Sequence, residues 1–239
     1  MFEEYKKILK SEYHLLWDDY CRYLSLGQDR FAAANKSEKL KQEELRLLEK
    51  AILKDFPLTD TLLACLQKAF IKHNLSLYLL LEPLQAWQRL ALDKGTITED
   101  QITEVVSRLA SPAARMLMVL NDENPSTYLP ITALLTAQFM IEAVQSDSAF
   151  LHKIKKKRRF WLGKIRGLLD NASVILTVVN SKRLKYLLAL RLNVLAVQIV
   201  NMQNNKQYRS EWLDRVKIFL YSLYQFIVIR KRTTQTKGL

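Results

Sequence analysis

Residues that make turns are scarce: the 239 residues include five glycines and five prolines, where average usage puts Gly plus Pro at roughly 12%. Tight turns and left-handed positions draw on these residues, so a chain with so few has few turns. That argues against many-stranded sandwiches, propellers and glycine-looped nucleotide folds. Cysteine is also sparse. Cys21 and Cys65 make neither a disulfide framework nor a zinc site, which points to a reducing compartment. His14, His73 and His152 are scattered, with no second ligand at metal-binding spacing. No stretch is both long and clean enough to span a bilayer, which takes about 20 apolar residues. The best run, Leu184–Val200, is interrupted by Lys185, Arg191 and Asn193. The opening MFEEYKKILKSEY is too charged for a signal peptide, and Glu3 and Glu4 argue against a transit peptide. No P-loop, GxGxxG or Ser/His/Asp constellation occurs, and no segment alternates as a strand does.

What is present is a chain 49% hydrophobic, patterned as long helices. Leu9, Tyr13, Leu16, Tyr20 and Tyr23 recur at 3–4 spacing and predict a helix over 4–26. Gly27 to Ser37 reads as a loop or helix end. Further helices are predicted over 38–54, 60–73, 76–92, 99–120, 127–149, 151–170, 182–203 and 209–231. Thr98 and Gln101 form a capping box, because hydroxyl and amide satisfy each other's orphan N–H groups. The expectation is one all-α domain over 1–239, with 206–239 a basic C-terminal helix and tail.

Charge is divided unevenly. Residues 1–150 hold 17 Lys/Arg against 21 Asp/Glu, whereas residues 151–239 hold 20 Lys/Arg against Asp170, Glu211 and Asp214. A basic half points to an anionic partner. The densest run is Lys153, Lys155, Lys156, Lys157, Arg158 and Arg159, followed by Phe160 and Trp161 as an interfacial anchor would be. Ile218–Ile229 is apolar and flanked by Arg215, Lys217 and Arg230 to Arg232. Solvated helix faces account for both; the sharper alternative is contact with an anionic membrane surface through 153–161 and 215–232. Nucleic acid is a poor fit, since no helix-turn-helix glycine turn, zinc spacing or aromatic RNA-binding strand is present.

Several segments, in order, resemble the squalene and phytoene synthases. Asp19-Tyr20-Cys21-Arg22-Tyr23-Leu24-Ser25-Leu26-Gly27-Gln28-Asp29 is similar to their first aspartate-rich helix, aromatic-x-Arg-x-x-Asp-Asp-x-x-Asp. Leu84-Gln85-Ala86-Trp87-Gln88-Arg89-Leu90 resembles the Leu-x-Ala-Phe-x-x-Asp segment of the bacterial squalene-synthase-like enzymes. Leu109-Ala110-Ser111-Pro112-Ala113-Ala114-Arg115 resembles their Ala-x-Pro-Val-Gly motif at the same spacing. Gln138 stands where their second motif, Gln-x-x-Asn-x-x-x-Asp-x-x-x-Asp, begins, and Leu190-Arg191 with Ile199 and Val200 resembles a late helix near the pocket floor. The likeness covers about residues 10–205. It implies an all-α isoprenoid-synthase-like bundle around an apolar cavity, in which two acidic helices hold magnesium and a prenyl diphosphate.

This sequence departs from that pattern where the metal would sit. The expected aspartates fall at Ser25, Leu26 and Asp29 in the first motif and at Gln145 and Ala149 in the second; only Asp29 remains. The expected asparagine is Ile141, the aspartate of the 84–90 segment is Leu90, and the glycine of the Pro-Val-Gly motif is Ala114. Glu142 and Asp147 are near, but helical phase is expected to aim them elsewhere. Asp18, Arg22, Ser25 and Asp29 share one helical stripe. A closing segment with Arg-x-Tyr-Leu-Pro is missing, and the basic run stands in its place. The expectation is therefore a synthase-like protein that has lost its metal-dependent chemistry, acting as an isoprenoid- or lipid-binding module or an assembly scaffold for a protein partner. Asp29 is then the one candidate metal ligand, for magnesium if activity is retained. Asp18, Arg22, Asp29, Gln138, Gln145 and Arg191 are the candidate ligand-binding residues, and the basic run is a candidate substitute clamp for a diphosphate or phospholipid. The place expected is the cytoplasm, peripheral on the inner membrane surface. The alternative is a divergent active prenyltransferase that condenses prenyl diphosphates head-to-head.

Overall fold

A computed structural model describes residues 3–32, 38–54, 61–92, 98–145 and 158–203, with side chains except those of 3, 25–32, 38–42, 44, 54, 61, 88, 90–92 and 158. Every regular element among these residues is helical. Two 3-10 turns, Glu3–Ile8 and Ser11–Tyr13, lead into α1 (His14–Ala32). Then come α2 (Glu38–Lys54), α3 (Thr61–Lys72), α4 (Tyr78–Leu92) and α5 (Glu99–Leu120). A 3-10 turn at Pro125–Thr127 precedes α6 (Tyr128–Gln145). The described chain continues with α7 (Arg158–Ala172), the short α8 (Ile175–Val178) and α9 (Lys182–Gln203).

Local chemistry sets three of these limits. Thr98 accepts from the Gln101 N–H at 3.3 Å while Gln101 accepts from the Thr98 N–H at 2.7 Å, so α5 opens on the expected capping box. Helices α3 and α5 both stop at a left-handed residue, Asn74 and Asp122, each with φ 53°. After each, a six-to-one bond closes the end, Leu75 N–H to Phe70 O at 2.8 Å and Glu123 N–H to Met118 O at 2.9 Å. Asn and Asp tolerate that conformation, which is how a glycine-poor chain ends its helices.

Two expectations change at the first helix. The predicted helix over 4–26 is broken into 3-10 turns before His14, and α1 continues through Gly27 to Ala32. The 3–4 periodicity cannot separate 3-10 from α geometry over so few residues. Leu16 and Tyr23 of that periodic set are buried, whereas the adjacent Leu15 is 72% exposed.

Helix α6 is apolar on all sides and lies at the centre, with α5 against one flank and α7 against another. Helix α4 connects α5 to α1 and α2, and α9 packs on α6, α7 and the Glu3–Ile8 turn. By length and hydropathy both Pro125–Gln145 and Lys182–Gln203 would suffice to cross a bilayer, contrary to expectation, though 72% of the former's apolar window is buried in the protein's own core and 39% of the latter's. Trp161 is buried and Phe160 packs against the core, so this pair is not an exposed interfacial anchor. Cys21 and Cys65 are free thiols, one buried and one exposed.

Candidate functional site

Two of the residues singled out from the sequence, 53 positions apart, meet in space. Gln138 lies on α6 with 1% of its surface exposed. Arg191 on α9 donates through Nε to the Gln138 Oε1 at 3.1 Å. The Tyr5 hydroxyl donates to the same oxygen at 3.2 Å. Gln138 Nε2 donates to Glu4 Oε1 and to Glu142 Oε1, both at 3.1 Å. An amide side chain has two donor hydrogens and two acceptor lone pairs, so Gln138 has its full complement of partners. Arg191 Nε also lies 3.0 Å from Glu4 Oε1 as an ion pair, closing a ring of Glu4, Gln138 and Arg191. The pair's side chains are 32% and 24% exposed, so water screens it only partly.

The phenol of Tyr5 is wholly buried, edge-on to Trp17 at 6.4 Å. Burial first, then the neighbouring Glu4 carboxylate, push its ionisation far above the usual phenol range. It is held as a neutral O–H donor. The next residue, Lys6, pairs with Asp18 on α1. Three consecutive residues of one 3-10 turn therefore engage three of the candidate ligand residues: Glu4 with Arg191 and Gln138, Tyr5 with Gln138, and Lys6 with Asp18.

The remaining candidates fall elsewhere. Arg22, Gln145 and Arg159 are exposed, and Ile141 is buried in the core. Ser25 and Asp29 lie on the backbone of α1, but their side chains, like Ala149, Lys153, Lys155, Lys156, Lys157, the Arg158 side chain and 215–232, are outside the described residues. Glu142 corrects an expectation: it stands one turn beyond Gln138 on the same helix face, which is why both reach one nitrogen. Glu4, Tyr5 and Lys6 were not singled out from the sequence. Their partners are up to 187 positions distant, and the one local hint is an aromatic residue set between two carboxylates and two lysines.

A second polar knot joins α4, α5 and α6 at the Ala-x-Pro segment. Ser111 Oγ donates to Glu82 Oε2 at 2.6 Å and lies 2.6 Å from the Tyr128 hydroxyl. Arg115 sits 3.6 Å from Glu82 Oε1 and 4.9 Å above the Tyr128 ring. Its hydrogen bond to Tyr128, reinforced by Glu82, raises the guanidinium pKa further and keeps it charged. Ala110, Pro112, Ala113 and Ala114 around this knot are buried. No three His, Cys, Asp or Glu side chains converge as a metal site among the described residues.

No family model matches this sequence, and no curated protein matches it. Among solved structures, a dehydrosqualene synthase in complex with ligand matches with a TM-score of 0.64 at 10% identity, covering 97% of this chain and 90% of its own. At that identity the likeness establishes the all-α fold of such a synthase.

Proposed function

We propose that this chain keeps a synthase-like fold without the metal-dependent prenyl-diphosphate chemistry, and works as an isoprenoid- or lipid-binding module. The observation that carries the reading is the state of Gln138 and the two turns that follow it. Magnesium is a hard cation that takes oxygen ligands in near-octahedral array. Along α6 the successive positions offer a saturated amide at Gln138, a buried alkyl chain at Ile141 and an exposed amide at Gln145. The nearby carboxylates, Glu4 and Glu142, are engaged by Gln138, and Glu4 by Arg191 as well. Among the described residues this donor set on and around α6 does not fit a multi-magnesium site. The likeness of the fold to a dehydrosqualene synthase in complex with ligand supports an apolar or prenyl ligand. A second role, in which the basic run at 153–159 or the segment 215–232 rests on an anionic membrane, is supported by the charge asymmetry alone.

The test is to incubate the purified protein with farnesyl or geranylgeranyl diphosphate and magnesium and to follow pyrophosphate release. None is expected above a protein-free control. Turnover that Asp29→Ala abolishes would establish the active prenyltransferase instead. Binding to anionic liposomes, with and without Lys155 to Arg159 neutralised, separates the membrane role: unchanged binding removes it.

A further inference from the structure

The turn Glu3–Ile8 contributes a carboxylate, a phenol and an ammonium to three other elements in a row, and this is an unusual use of a short 3-10 segment. Glu4 places one anionic oxygen between Arg191 Nε and Gln138 Nε2, at 3.0 and 3.1 Å. Tyr5 places a fully buried ring against Trp17 and its hydroxyl on Gln138. Lys6 holds Asp18. An anionic group on a cation, with an apolar body buried beside it, is how a bound amphiphile would present itself. We propose that residues 4–6 are a tethered occupant of the site between α1, α6 and α9, and that a ligand enters by displacing them. The inference rests on the lipid-binding reading above and adds what controls access and what the ligand's head must be.

The charge balance defines the ligand. When Glu4 leaves, one negative charge leaves with it. Glu142 stays, held by the same Gln138 nitrogen, so a head group carrying several negative charges adds all of them to a site where Glu142 already balances Arg191. A singly charged head replaces Glu4 without changing the balance. The body must supply apolar area comparable to a phenol ring to keep Trp17 covered. The ligand class is an apolar body with a single carboxylate, rather than a prenyl diphosphate. Because the occupant is tethered, apparent affinity in the wild type is reduced by the fraction of molecules in which the turn has withdrawn.

The experiment compares a fluorescent long-chain fatty acid with farnesyl diphosphate and farnesol, on wild type, Glu4→Gln and Glu4→Gln/Arg191→Gln. The fatty acid is expected to bind Glu4→Gln at least ~10-fold more tightly than wild type, since the turn is loosened and Arg191 loses the Glu4 carboxylate. The double variant is expected to lose that gain, and the other two probes to gain less. In wild type saturated with fatty acid, hydrogen exchange of the peptides covering 3–9 is expected to accelerate. That readout needs no variant and decides the matter if Glu4→Gln does not fold. Equal affinity of wild type and Glu4→Gln, or unchanged exchange with ligand bound, overturns the tethered occupant and leaves the lipid-binding reading standing. No binding of any of the three probes to either protein overturns both.

Discussion

The hydroxyl of Tyr20 is fully buried and has no hydrogen-bond partner among the described residues. Burial, with lesser help from Tyr23, Cys21 and Glu82, raises its ionisation well above the usual phenol value. A buried unpaired hydroxyl is a standing cost, so Tyr20→Phe is expected to stabilise the fold by about 1 kcal/mol in urea unfolding. Tyr5 differs, because its hydroxyl has Gln138 as acceptor. Both phenols titrate higher folded than unfolded, so their contribution is complete below the unfolded value of about 10. It is lost as pH rises above that point, because the unfolded chain releases protons the folded one retains. Unfolding followed between pH 9 and 11 should therefore show a steeper decline in wild type than in Tyr5→Phe, by up to about 1.4 kcal/mol per pH unit once past pH 10. A parallel decline would contradict the burial of this phenol. At this scale the sequence was partly legible. Gln138 and Arg191 were both singled out, but their junction depends on Glu4 and Tyr5, whose partners no local pattern indicates.

Helix limits were the most legible feature. The α5 span coincides with that predicted from the sequence, because a capping box is a local signal, and α9 begins at the predicted Lys182. The start of α9 has a further, non-local determinant. The buried carboxylate of Glu123 accepts the N–H groups of Asn180 and Ser181 at 2.9 and 2.6 Å, and Ser181 Oγ accepts from Leu184 N at 3.3 Å. Glu123 thus ties the end of α5 to the entry of α9, some 57 residues later. Glu123→Ala should cost about 2 kcal/mol in urea unfolding, since two charge-assisted bonds go at once. A loss under half that value would mean water replaces the carboxylate there. The 3-10 turns before α1 were not legible. Their geometry follows from Tyr5 and Leu9 being drawn into the core while Glu4 and Lys6 reach opposite partners.

One continuous apolar cluster runs from Tyr5 through α1 to α9 among the described residues, with Leu80, Leu117, Leu134 and Leu188 all fully buried within it. Tryptophan fluorescence and far-UV circular dichroism should accordingly report one coincident urea transition, because Trp17, Trp87 and Trp161 all belong to that cluster. Two separated transitions would show that the elements divide into independent cores. What the sequence determined by itself was the helical class and the limits of its best-capped helix. These follow from turn chemistry, periodicity and residue identity, all readable over a few positions. Only the tertiary structure decided that Glu4, Tyr5 and Lys6 close on Arg191, Gln138 and Asp18, that Glu142 shares the Gln138 face, and that Trp161 belongs to the core. Those outcomes depend on which distant surfaces compete for the same buried space, and helix packing settles that only after the helices exist.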